Sequence, residues 1–215
     1  MFVYGWDMEK KEKQIKVLAS IDPSFTSTGL AIVDLNNKTI YTRPIQIGCP
    51  DKSFFGMQQS ITLIVYELEQ EMKKHDVDSL VHEEPFPGQM FSPALYGLDS
   101  AIFQTFQTMI LHTYHPTILR KIHGGKYTKT DSKNLALKVL SLLSDYKYIN
   151  NLSENKKDKK DMFGNKLTRS GEYAITSDES EAFLYAVTTL IKYGVDDFKL
   201  LSNILHCDAK GVCDW

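Results

Sequence analysis

The chain has 215 residues, 42% of them hydrophobic and 24% charged, with a formal net charge of −2. Those proportions fit one soluble globular domain with extensions, long enough to bury a core without disulfides or a structural metal. They argue against a membrane-spanning chain, since no apolar run approaches the roughly 20 residues a bilayer crossing needs. They argue equally against a disulfide framework, since Cys49, Cys207 and Cys213 form an odd set without regular spacing.

His206, Cys207 and Cys213 cluster near the C-terminus, but their spacing matches no common zinc pattern. The N-terminal stretch MFVYGWDMEKKEKQ is charged and lacks an apolar signal core, so a cytoplasmic protein is expected. The net acidity counts mildly against a nucleic-acid binder, but the local distribution does not. Pro116 to Lys138 carries six Lys/Arg against one acid, and Asn155 to Arg169 carries six against two.

In chain order, residues 1–14 read as an extension. Lys16 to Asp22 is a short apolar run ending in Asp-Pro, a strand meeting a turn. Thr28 to Leu35 is a second strand, and Asn36-Asn37 turns it into a third near Thr39 to Ile47, giving an antiparallel meander. Strands this uniformly apolar are covered on both faces. Met57, Ile61, Ile64, Leu68 and Met72 fall at steps of three and four, one stripe of a helix over 55–74.

Ser79 to Glu84 is strand-like and stops at Pro85. Leu98, Ile102, Phe106, Met109 and Ile110 mark another helix, running to before Pro116. Thr117 to Ile122 reads as a fifth, short strand followed by Gly124-Gly125, and a helix is expected from about Asp131 to Asp145. The polar, aperiodic segment 150–172 reads as an insert. A helix then starts near Ser177, where Thr176 and Glu179 have capping-box spacing, and runs to about Tyr193. Val195 to Leu205 suits a last helix.

The expected organisation is therefore an α/β domain over 15–194, with a C-terminal extension over 195–215. Three meander strands followed by alternating helices and strands suit a mixed five-stranded sheet with helices on both faces, the order of the RNase H-like fold.

Four acids stand out against that order. Asp22 ends the first strand and Glu83 ends the fourth, while Asp178 and Glu181, at i and i+3, share one face of a helix start. Clustered carboxylates repel and are driven to take up protons. Divalent cations relieve that cost, and Mg²⁺ in particular takes hard oxygen ligands together with water and phosphate. Two such ions roughly 3.5–4 Å apart suit phosphodiester hydrolysis. Each acid also has an ordinary reading: Asp22 as a turn residue before Pro23, Glu83 as a solvated strand end, Asp178 as a partner for the helix dipole, Glu181 as a solvated face. Glu179 is better explained by the capping box.

Ile21-Asp22-Pro23-Ser24 with Thr28-Gly29, Val81-His82-Glu83-Glu84-Pro85-Phe86, and Asp178-Glu179-Ser180-Glu181-Ala182 together resemble the motifs of the RuvC Holliday junction resolvases. That resemblance spans about residues 16 to 192. It implies an RNase H-like fold, a homodimer, and Mg²⁺-dependent (or Mn²⁺-dependent) cutting of four-way DNA junctions. It makes Asp22, Glu83, Asp178 and Glu181 the metal-binding acids, with Lys133 beside them in catalysis. It also makes Phe86 an aromatic that stacks on a junction base, worth roughly 1–3 kcal/mol. A core Phe beside a proline turn is the plainer alternative for Phe86. Lys121 and Lys133 best match the family's basic strand-to-helix stretch. Lys126 and Lys129 are expected in the intervening loop, where they could contact phosphate or simply face solvent. The helix over 98–114 is a candidate dimer interface or, equally, core.

The chain departs from the family in several places. Ser24 replaces a Gly, the last acid is Glu rather than Asp, and Glu84 adds an acid able to exchange roles with Glu83. Segment 147–176 and both termini are long, as in a divergent phage or viral member, which would work in the host cytoplasm. Nucleases for other branched DNA or RNA–DNA hybrids use the same acids and remain open. So does a non-catalytic DNA-binding protein of the same fold.

Overall fold

The computed structural model describes residues 14–47, 53–85, 92–150 and 175–205. Three strands open it: β1 (Val17–Asp22), β2 (Thr28–Asp34) and β3 (Thr39–Ile45). They form the expected antiparallel meander, with Asp22 opposite Gly29 and Asp34 opposite Thr39. Short polar side chains close its turns. Thr28 Oγ1 donates to the Ser24 carbonyl at 2.8 Å, and Asp34 Oδ1 accepts the N–H groups of Asn36 and Asn37 at 2.9 Å.

Helix α1 (Phe54–Lys74) follows, its first turn capped by Ser53, whose hydroxyl accepts the Gly56 N–H at 3.0 Å. Next come β4 (Ser79–Glu83), α2 (Pro93–Phe106), β5 (Ile110–Tyr114), α3 (Thr117–Ile122), α4 (Lys129–Leu142) and β6 (Lys147–Asn150). The last described elements are α5 (Ser177–Lys192) and the single turn α6 (Asp196–Lys199). The sheet order is β5-β4-β1-β2-β3-β6, with β4 parallel to β1, β5 parallel to β4, and β6 parallel to β3.

Period-2 alternation sorts the strand residues between two cores. Leu18, Ala31, Val33, Ile40 and Val81 pack with α4 and α5 on one face. Ala19, Ile21, Leu30, Ile32 and Leu80 pack with α1 and α2 on the other. An antiparallel meander extended by two parallel strands, with helices on both faces, is the RNase H-like fold. Here β6 adds a sixth strand at the far edge.

Three expectations need correction. Thr117–Ile122 is a helix, not the fifth strand. Leu119 and Ile122, three apart, are its buried face, and Gly124 and Gly125 end it at φ 68° and 143° with their N–H groups on the carbonyls of Lys121 and Arg120. The true fifth strand is Ile110–Tyr114, which the i, i+3, i+4 spacing through Met109 and Ile110 had merged into the preceding helix. That helix ends at Phe106. Its stripe of Leu98, Ile102 and Phe106 is buried against α1, so this side of it is core rather than interface. Lys147–Asn150 is the third: four residues at an edge, too short to show a period.

Helix α5 is the centre of the fold. Every residue from Glu179 to Ile191 is buried, as expected of a helix enclosed on all sides. Its N-terminus carries the anticipated capping box: Thr176 Oγ1 accepts the Glu179 N–H at 3.3 Å and Glu179 Oε2 accepts the Thr176 N–H at 2.7 Å. The first turn lies directly on β2. A Cβ at Gly29 would stand 2.1 Å from the Asp178 carbonyl oxygen, a distance backbone cannot accommodate. Gly29→Ala is therefore expected to push α5 off the sheet and destabilise the protein by about 1–3 kcal/mol, read as a lowered midpoint in denaturant unfolding. An unchanged midpoint would show that the helix seats independently of this contact.

Candidate metal centre

Adjacent parallel strands end together, so Asp22, last in β1, and Glu83, last in β4, reach the same edge of the sheet. Gly29 is paired with Asp22, and α5 sits on Gly29, so the first turns of α5 are delivered to that edge too. Asp22, Asp178 and Glu181 each offer an oxygen within 4.8 Å of the others, close enough to share one ion. Asp22 and Glu181 are buried and Asp178 is half-buried. Glu83 lies outside that trio but near enough for its charge to raise Asp22, and its Oε2 accepts from the Tyr185 hydroxyl at 2.6 Å.

The electrostatics are those of negative charge without enough compensation. Burial, then the charges of Glu83, Glu181 and Asp178, raise the Asp22 carboxyl well above its ordinary range. Burial pushes Glu83 up to about 7, with Glu181 adding to it. Glu181 is raised as well, chiefly by burial. The charges of Glu83, Glu181 and Asp178 all bear on Asp22, so the four carboxylates cannot ionise together without cost unless a cation joins them.

Among the described residues the cation against these acids is Lys129, whose ammonium donates to Asp178 Oδ1 at 3.0 Å. Burial works against its charge, but Asp178, Glu181 and Asp22 outweigh burial and raise its pKa. Ser132, fully buried on α4, donates to Glu181 Oε1 at 3.3 Å. The Tyr127 hydroxyl is raised by burial and by the fields of Glu181, Glu83 and Asp22, and its ring stacks on His123 at 4.7 Å. A set of buried hard-oxygen donors, short of positive charge, fits a divalent cation.

The other anticipated residues fall in different places. Glu84 points to the opposite face of β4, where it accepts from Thr113 Oγ1 at 3.2 Å, so strand alternation gives the edge position to Glu83. Glu179 is spent on the capping box and on Asn150 Nδ2 at 3.3 Å. Lys129 is the first residue of α4, not a loop residue; Lys126 does lie in the α3–α4 loop, exposed. Lys133 lies one turn beyond Lys129 on the same face of α4 and forms no ion pair among the described residues. Lys121 is half-buried on α3. Phe86, Cys49, His206, Cys207, Cys213 and residues 151–172 of the insert lie outside the described residues. Tyr185, Ser132 and the close approach at Gly29 were not anticipated. Tyr185 follows Glu181 by four residues, the one sequence signal that placed it beside the acids.

No family model matches the chain, and no curated protein sequence does. Among solved structures it is similar to a Thermus thermophilus RuvC in complex with a Holliday junction substrate, with 14% identity, 87% of this chain and 94% of that one covered, and a TM-score of 0.48. It is also similar to the yeast mitochondrial Holliday junction resolvase (12%, 79% and 75%, 0.42) and the fowlpox virus Holliday junction resolvase (14%, 81% and 96%, 0.40). The fold class rests on the strand order and the helix placement, not on these likenesses. No helix among the described residues is long and apolar enough to cross a membrane.

An acid with a raised folded pKa keeps its proton longer in the folded state than in the unfolded one. Between the ordinary 4.5 of Glu83 and its folded value of about 7, the folded protein thus binds more protons. The metal-free protein is expected to lose stability as pH rises through that window, Asp22 and Glu181 acting in the same sense. At neutral pH, Mg²⁺ at about 100 times its dissociation constant should restore about 2.7 kcal/mol, raising Tm by roughly 5–10 °C. Thermal melts across pH with and without Mg²⁺ check both; a Tm indifferent to Mg²⁺ at pH 7 would contradict the assignment.

Proposed function

We propose that the protein is a metal-dependent, structure-specific endodeoxyribonuclease that hydrolyses the phosphodiester backbone of four-way DNA junctions. The observation that carries this reading is the convergence of Asp22, Asp178 and Glu181 within 4.8 Å, with Glu83 ending the neighbouring strand, at one edge of an RNase H-like sheet. The motifs holding these acids are the ones that resemble those of the RuvC resolvases.

Asp22, Glu83, Asp178 and Glu181 would hold Mg²⁺, or Mn²⁺, in a two-ion arrangement. Bound there, the ions supply a nucleophilic water and Lewis-acid stabilisation of the leaving oxygen. The chain's own residues orient and balance that site. Asp22 bridges the strand acids and the helix acids. Ser132 holds one oxygen of Glu181, fixing its rotamer. Lys129 holds Asp178 and is placed to neutralise a phosphate oxygen as charge develops in the transition state. Lys121, Lys126 and Lys133, in and between α3 and α4, would supply positive charge to the DNA backbone. Phe86, three residues beyond Glu83, is the proposed stacking residue for a junction base. Paired nicks in a two-fold junction call for two active sites, which a homodimer supplies.

Cleavage of an end-labelled four-way junction tests the reading. The wild type is expected to give symmetric paired nicks only with Mg²⁺ or Mn²⁺, and Glu83→Gln and Asp22→Asn to lose at least about 10²-fold in rate. Preferred cutting of flaps or RNA–DNA hybrids would move the substrate assignment within the same chemistry. Wild-type rates in both variants would remove the assignment altogether.

A further inference from the structure

Tyr185 is fully buried on α5, one turn beyond Glu181, and its hydroxyl meets Glu83 on a different element at 2.6 Å. Its ring is clamped by stacking on Tyr114 of β5, with centroids 5.0 Å apart and planes at 17°. The directions of the bonds around this pair follow from the count of protons. Thr189 Oγ1 donates its single proton to the Tyr185 carbonyl at 2.9 Å. Tyr114 must therefore donate to Thr189 Oγ1, 2.8 Å away. An ionised Glu83 carboxylate can only accept, so the proton between it and Tyr185 belongs to the tyrosine. A clamped ring with one donor thus holds one chosen oxygen, Oε2, of the β4 acid.

We infer that Tyr185 is a positioning residue that withholds Oε2 of Glu83 from the metal, so that Glu83 offers only its other oxygen to an ion shared with Asp22. The inference rests on the metal-centre reading above. Its consequence is selectivity. Mg²⁺ demands a compact octahedron built from single oxygens, whereas Ca²⁺ accepts six to eight ligands and takes carboxylates in two-oxygen fashion. A Glu83 limited to one oxygen favours the smaller ion. Release of Oε2 would let the carboxylate swing to bind through both oxygens and favour the larger one.

The test is calorimetric titration of the full chain, without DNA, with MgCl₂ and separately with CaCl₂. Tyr185→Phe keeps the stacked ring and removes only the donor. It is expected to weaken Mg²⁺ binding by about 10-fold or more while Ca²⁺ binding holds or tightens. In a Glu83→Gln background the same substitution should leave the Mg²⁺/Ca²⁺ ratio unchanged. A wild-type ratio in Tyr185→Phe overturns the inference, as does an equal change with and without Glu83. If Tyr185→Phe does not fold, Glu83→Asp, which draws the carboxylate back from the tyrosine by one methylene, carries the test: a wild-type ratio there overturns it too. A wild type that binds neither ion, or Mg²⁺ binding indifferent to Glu83→Gln, would instead overturn the metal-centre reading, and this inference with it.

Discussion

The seating of the first turn of α5 on Gly29 decides where the acids stand. Gly29 is paired with Asp22, so a helix that touches the one must deliver its own acids to the other. The packing that stabilises the fold, an enclosed helix against β1 and β2, is therefore the packing that crowds like charges. Among the described residues, that crowding is not relieved by a cation for each acid. The carboxyls of Asp22, Glu83 and Glu181 are all raised, and the Lys129 ammonium bonds Asp178.

The two faces of the sheet treat buried acids in opposite ways. On the α1 side, Glu71 is buried but bonded by Arg43 at 2.5 Å, with Glu67 taking the other arm of that guanidinium at 3.0 Å. Burial alone would raise Glu71, yet nearby His75 at 3.5 Å, Lys74 and the bond from Arg43 hold it down at about 2. Glu83, on the other face, rises to about 7. One glutamate is neutralised by the chain and serves to pin α1 to β3. The other is left short of positive charge, which is the state expected of a ligand whose cation comes from solution.

Much of this was legible in the amino-acid order. The meander, the β4 strand, the helix expected over 55–74 and the capping box at Thr176 follow from periodicity, Asn-Asn and Asp-Pro turns, and S/T-x-x-E spacing. The α3 and β5 segments were not, because six residues of mixed apolar and basic character suit either state, and the helical spacing of Leu98 to Ile110 runs through a turn without a break. Glycines after Ile122 signalled a stop but not which kind of element stopped. Among the site residues, the four acids could be placed on their elements, and period-2 alternation separates Glu83 from Glu84 once the strand's register is known. The roles of Gly29, Ser132 and Tyr185 depend on which elements touch across the sheet, and spacing along one chain does not carry that. Lys129 opens α4 rather than sitting in a loop because Thr128 caps the helix, forming a second capping box with Asp131.

Anomalous diffraction from crystals grown with Mn²⁺ would show whether these carboxylates share a cation. A shared ion gives a strong peak bounded by Asp22, Asp178 and Glu181, with Lys129 displaced from its present partner. Crystals with the same carboxylate positions at saturating Mn²⁺ and no density between them would rule out the proposed centre.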